Sequence, residues 1–156
     1  MTERYKQEAS RLGKAIDIAI EATEKYPPKD FEQKHIDHWI KVHQEWKREL
    51  FECEPKYQNL ATLKYSVNNV LTYFQEAYGE GVEFFWQQIA KQGLGYKREN
   101  KLAKILKRNR IKDDMEYDFI IDVIVPYQQE NIITSEEANI LSDLLLKFEE
   151  KAINLK

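Results

Sequence analysis

The sequence predicts an all-α fold, a single-domain bundle of about six to seven helices over residues 1–156, three longer ones first and several shorter ones after. Two observations carry this. Apolar residues, 42% of the chain, recur at intervals of three and four, the spacing of one helix face. Five Gly and four Pro among 156 residues are too few for an all-β chain, which turns roughly every 8 to 12 residues. With 33% charged residues, a substantial core can sit beneath a well-solvated surface, and the length suits one domain.

Tyr5, Ala9, Leu12, Ile16 and Ala19/Ile20 draw the first stripe, over residues 3–24, and Tyr26-Pro-Pro stops it by removing donors. Asp30 followed by Gln33 matches a capping box for a second helix, whose stripe is Ile36, Trp39/Ile40, His43, Trp46/Lys47 and Leu50, ending near Cys53. After Pro55, Leu60, Leu63, Val67, Val70/Leu71, Phe74 and Tyr78 define a third helix closed by Gly79-Glu-Gly81. Val82, Phe85/Trp86 and Ile89 make a shorter fourth, closed by Gly93-Leu-Gly95.

A two-faced basic helix is expected over 98–109, with Leu102, Ile105 and Leu106 inward. Asp113 with Glu116 caps the next, 115–128. Its apolar residues fit a strand (Tyr117, Phe119, Ile121, Val123, Val125) as well as a helix (Ile120, Val123/Ile124, Tyr127). We read helix, because no second strand is available to pair with it. Thr134 with Glu137 caps the last, and Leu141, Leu144/Leu145, Phe148 and Ala152 form its stripe, with Ile133 placed to staple onto Ala138.

Several function classes drop out. The first eight residues lack the apolar core of a signal peptide, and the longest near-apolar run, 119–125, is far short of the roughly 20 residues of a membrane span. Cys53 is the only cysteine, which excludes an intrachain disulfide and fits a reducing, cytoplasmic setting. Glu32-Gln-Lys-His35 has the Glu-x-x-His spacing of di-iron bundles, but occurs once where two are needed. His35, His38 and His43 therefore read as surface or boundary residues, and no metal or cofactor is expected. Cys53 with His43 lacks a third group to orient the base. Neither Gly-x-Gly pair completes a phosphate-binding loop.

Charge is the strongest signal. The net charge of −3 implies no particular partner, but residues 91–112 hold nine Lys or Arg and one Glu (net +8), and residues 113–156 hold three Lys and eleven Asp or Glu (net −8). On a continuous helix Lys97, Lys101, Lys104 and Arg108 would form one cationic ridge, broadened by Lys107 and Arg110 and suited to phosphates or to a protein partner. Tyr96 could stack on a base or a guanidinium beside it. The plainer alternative is a solvated face paired with the acidic helices that follow. Consecutive Phe84, Phe85 and Trp86 span about 200° of a helix and cannot all face one core, so some aromatic surface is expected at an interface.

The run Ile105-Leu-Lys-Arg-Asn-Arg-Ile-Lys112, continued by Glu116-Tyr and Asp122 and closed by Leu144-Leu-Leu-Lys-Phe-Glu149, resembles the C-terminal third of small uncharacterised bacterial helical proteins. Like toxin-neutralising immunity proteins, the chain is small, acidic and motif-free. That resemblance implies a cytoplasmic bacterial protein and transfers no catalytic residue. The expected function is a non-enzymatic protein-binding module, an immunity protein or inhibitor in its most concrete form. The alternative is nucleic-acid binding through the basic segment, and the third reading is an enzyme assembled from dispersed carboxylates.

Overall fold

The four-three apolar spacing becomes helix wherever a cap or proline defines the ends. The computed structural model describes residues 1–154; residues 155 and 156, the end of the acidic block, lie outside the described residues. The elements are α1 (Glu3–Lys25), α2 (Gln33–Glu52), a 3-10 turn (Pro55–Tyr57), α3 (Leu60–Glu76), α4 (Glu80–Lys91), α5 (Ala103–Arg108), α6 (Asp114–Gln129) and α7 (Ser135–Asn154). The fold is all-helical among the described residues, and 117–125 lies within α6. No described helix is long and apolar enough to cross a membrane. The chain forms two compact units, Met1–Arg98 and a second beginning at Glu99, each with its own apolar cluster.

In the first unit α1 is the central helix, meeting α2, α3 and α4. Ala9, Ala15, Ala19 and Ala22 are fully buried on it beside Leu12 and Ile16, and such small side chains let neighbouring helices approach closely. Phe74 of α3 stacks on Phe85 of α4, ring centres 3.8 Å apart, at the heart of this cluster. Of the three consecutive aromatics only Phe85 is fully buried. Phe84 packs on Tyr26, and the Trp86 indole N–H donates to the Phe74 carbonyl at 2.8 Å.

Two expectations need correction here. The second helix is capped by Glu32, not Asp30: the Glu32 backbone N–H donates to His35 Nδ1 at 3.0 Å, and Asp30 lies in the turn before it. The helix expected over 98–109 is only six residues long. Its start is set by Asn100, whose side-chain oxygen accepts the Leu102 N–H at 2.9 Å, and its end by Asn109 in the left-handed conformation (φ 58°). Upstream, Gly93 (φ 63°) turns the chain out of α4, and 94–100 runs without helix.

In the second unit α5, α6 and α7 enclose Leu102, Ile105, Ile120, Val123, Tyr127, Leu141 and Leu144. The caps read from the sequence are formed. Asp113 accepts the Glu116 N–H at 2.9 Å, and Thr134 and Glu137 exchange both capping-box bonds at 3.0 Å. Ile133 and Ala138, at the staple positions, are both buried in this cluster.

Gly81 supplies a test of the α1–α4 packing. A Cβ there would lie 3.0 Å from the Tyr26 carbonyl oxygen and 3.6 Å from that of Ala22. In an exposed helix Gly→Ala stabilises by up to about 1 kcal/mol. Here the backbone contact reverses the sign, and Gly81→Ala is expected to destabilise by about 1–2 kcal/mol in urea unfolding followed by circular dichroism. A gain in stability would refute the close approach.

Candidate functional site

The structure separates the six cationic residues that the sequence grouped. Lys97 lies in the first unit, in the extended segment after α4, and Lys101 is in the turn before α5, paired with Glu99 at 3.0 Å. Lys104, Lys107 and Arg108 share one face of α5, and Arg110 follows it. Arg108 is already engaged: its guanidinium grips Glu116 with two bonds, 2.7 and 3.1 Å, and donates to the Arg110 carbonyl at 2.9 Å. Those hydrogen bonds hold the Glu116 carboxyl below the usual carboxylate range. The continuous ridge is not formed. What remains is Lys104, Lys107 and Arg110, exposed and without an ion-pair partner among the described residues. Arg108–Glu116 joins the basic segment to the start of α6 within the second unit, while Lys104, Lys107 and Arg110 keep their charge for solvent or a ligand.

Tyr96 does find a guanidinium, but within its own unit: Arg11 lies over its ring, 4.5 Å from the centre, while donating to the Leu94 carbonyl at 3.0 Å and pairing with Glu8.

The more distinctive surface is acidic: the sequence marks the −8 block as the counterpart of the ridge, but not which of its residues share an exposed face. Asp114, Asp118, Ile121, Asp122 and Val125 fall within about 100° around α6, with Met115 at the margin. Met115 is 81% exposed, Val125 59% and Ile121 50%. This stripe adjoins a groove of about 620 Å³ between the start of α6 and the end of α7. Stacked Tyr117 and Phe148 rings, centres 5.3 Å apart, line it with Ala152 and Ile153, and Asp114, Asp118 and Glu149 add carboxylates. The Tyr117 hydroxyl donates to Glu149 Oε1. The signal available in the sequence was the very ambiguity of 117–125, since a helix with apolar residues on two faces also alternates like a strand.

His43 is the other residue the sequence singled out. It is only 5% exposed, stacked on Trp39 with ring centres 3.5 Å apart and packed against Trp46 at 4.6 Å. Its Nδ1–H donates to the Trp39 carbonyl at 2.8 Å. Burial lowers its pKa from 6.5, opposed in part by that hydrogen bond. No three His, Cys, Asp or Glu among the described residues are placed to hold a metal ion.

Because the folded state disfavours the imidazolium, the unfolded chain takes up the proton first on acidification. The contribution of His43 is therefore complete above about pH 6.5 and is lost as pH falls toward its lower folded value. The stability advantage of wild type over His43→Phe is expected to shrink between about pH 7 and pH 5, read from paired urea titrations. A constant difference would contradict the buried neutral imidazole.

No protein-family model, no curated protein and no solved structure matches this chain.

Proposed function

We propose that this chain is a non-enzymatic protein-binding module that docks a basic segment of another protein onto the groove and outer face of α6, as an immunity protein or inhibitor would. The observation that carries the reading is the combination of Met115, Ile121 and Val125 in solvent with Asp114, Asp118, Asp122 and Glu149 around them. Exposed aliphatic groups in one patch mark interaction surfaces, and the carboxylates select a partner of opposite charge. An aromatic floor ringed by carboxylates suits a lysine or arginine side chain, whose stem is apolar and whose head is cationic. The cytoplasm is part of this reading, supported by the single unpaired Cys53.

The test compares wild type with Asp118→Lys/Asp122→Lys as bait, both confirmed folded by near-ultraviolet circular dichroism. A basic protein retained by wild type is purified and titrated calorimetrically. One-to-one binding weakened about 100-fold by the double reversal, roughly 2.7 kcal/mol, is expected. A partner that is acidic, or indifferent to the reversal, overturns the reading, as does finding no stoichiometric partner. Concentration-dependent self-association in sedimentation, lost in the double variant, would overturn it in favour of a second copy.

A second reading has its own observation: Lys104, Lys107 and Arg110 stand exposed without ion-pair partners among the described residues, as phosphate contacts do. Three such contacts give a log–log salt slope of about −2.7 on duplex DNA. Fluorescence anisotropy of labelled duplex should show that slope and its loss in Lys104→Glu/Lys107→Glu/Arg110→Glu, a variant that spares the structural Arg108. Absence of binding at low salt eliminates this reading.

A further inference from the structure

In the first unit the last two turns of α2 and the first three of α3 stand apart over the flank of α1, leaving a cavity of about 280 Å³. That is the low end for small-molecule sites. Its walls divide by chemistry. Ile16, Leu63 and Val70 provide apolar surface, and Tyr5, Trp46 and Tyr57 provide rings. Thr62, Ser66 and Asn69, spaced four and three apart, place a polar strip of α3 along it, and Glu49 contributes the one carboxylate. No lysine or arginine lines it.

The polar groups are uncommitted. Glu49, Ser66 and Asn69 have no side-chain hydrogen bond or ion pair with described residues. A helical serine or threonine can turn its hydroxyl back onto the carbonyl four residues earlier. Thr72 does so to Asn68 at 2.6 Å, and Ser142 to Ala138 at 3.0 Å. Ser66, on the cavity wall, does not.

We infer that this cavity is a binding site for a small organic cation, an amine carrying a short apolar or aromatic body. A lone carboxylate on a wall that carries no lysine or arginine selects positive charge, and the Trp46 ring reinforces it through its electron-rich face, one face of Tyr57 being already taken by Lys56 Nζ, 5.0 Å from the ring centre. The body packs against Ile16, Leu63 and Val70, and the Ser66 hydroxyl and Asn69 carboxamide serve a second polar group. The site lies wholly in the first unit, so it stands apart from the protein-docking reading.

The single cysteine provides a direct readout, because Cys53 is half-buried on the cavity wall and no other thiol competes. The probes form a charge series of nearly one shape: 2-phenylethylamine, 2-phenylethanol and phenylacetate. Binding is followed by tryptophan fluorescence and by the rate of Cys53 alkylation with iodoacetamide. The amine should bind saturably with a Kd of about 1 mM or tighter, as a fragment of this size can. It should slow alkylation at least fivefold at saturation, and the alcohol should bind at least tenfold more weakly. Glu49→Gln, a substitution at an exposed position, should erase the preference for the amine while leaving the alcohol's affinity unchanged. Ser66→Leu, which fills the cavity, should abolish protection by both. Equal affinity across the three probes overturns the inference. So does saturation without protection of Cys53, or an amine preference that survives Glu49→Gln.

Discussion

A helix ends with carbonyls that its own backbone cannot satisfy, and in the first unit long-range side chains answer that demand. The Tyr5 hydroxyl reaches the Leu50 carbonyl near the end of α2 at 2.6 Å, and the Trp86 indole reaches Phe74 near the end of α3 at 2.8 Å. Arg98 donates to Ala77, the C-cap of α3, at 2.6 Å, and Gln58 donates to Phe51 and Cys53 at the end of α2. Each donor comes from a different element or from beyond the helix it caps. Satisfying the helix ends and fixing the arrangement of the helices are therefore one event, and the buried members cost more to break than a local cap because the orphaned carbonyl stays away from water.

This constraint also explains the local geometry that matters for function. Tyr5 holds the end of α2 to the start of α1, while the 3-10 turn at Pro55–Tyr57 and the Asn59 cap redirect the chain before α3 begins. Helices α2 and α3 consequently meet less extensively than α1 and α2, and the space between them is the cavity. Burial and the neighbouring Cys53 raise the Tyr5 pKa, so its hydroxyl stays a donor throughout the ordinary pH range.

Six of the seven α-helices were legible because each carries its stripe and its stop within one window. Tyr5 to Ala19, Val82 to Ile89 and Leu141 to Leu144 are local patterns, and the caps at Asp113 and Thr134 lie beside the stripes they open. The basic helix over 98–109 was misread because its apolar triplet, Leu102, Ile105 and Leu106, is genuine, and the Asn100 side chain that sets its start is backed by contacts from outside the window. Gln75, more than twenty residues earlier, donates to the Lys97 carbonyl at 2.9 Å, and Arg98 is held on Ala77. A backbone tied down in that way cannot wind into the helix that its own residue types favour. Losing the upstream residues 98–102 of that helix dissolved the ridge, because Lys97 and Lys101 were placed on it by angle alone. The cavity was illegible for a related reason: Glu49, Ser66 and Asn69 are ordinary residues until two helices bring them to one wall.

The charge segregation in the second unit carries its own constraint. A single well-made pair, Arg108 with Glu116, fastens the start of α6 to the segment before it, and the Lys112 amide shares the same carboxylate at 2.9 Å. Further pairing would need Lys104, Lys107 and Arg110 to reach the outer face of α6, and they do not. The Arg108–Glu116 pair thus positions the start of α6 and leaves those three cations exposed. Asp114, Asp118 and Asp122 stand exposed among Met115, Ile121 and Val125, and charge set between apolar groups disfavours non-selective hydrophobic association. A neutral apolar surface would close such a patch less selectively. On the proposed reading, charge of one sign around the patch would favour cationic partners over others, which is the physical content of specificity at such a surface.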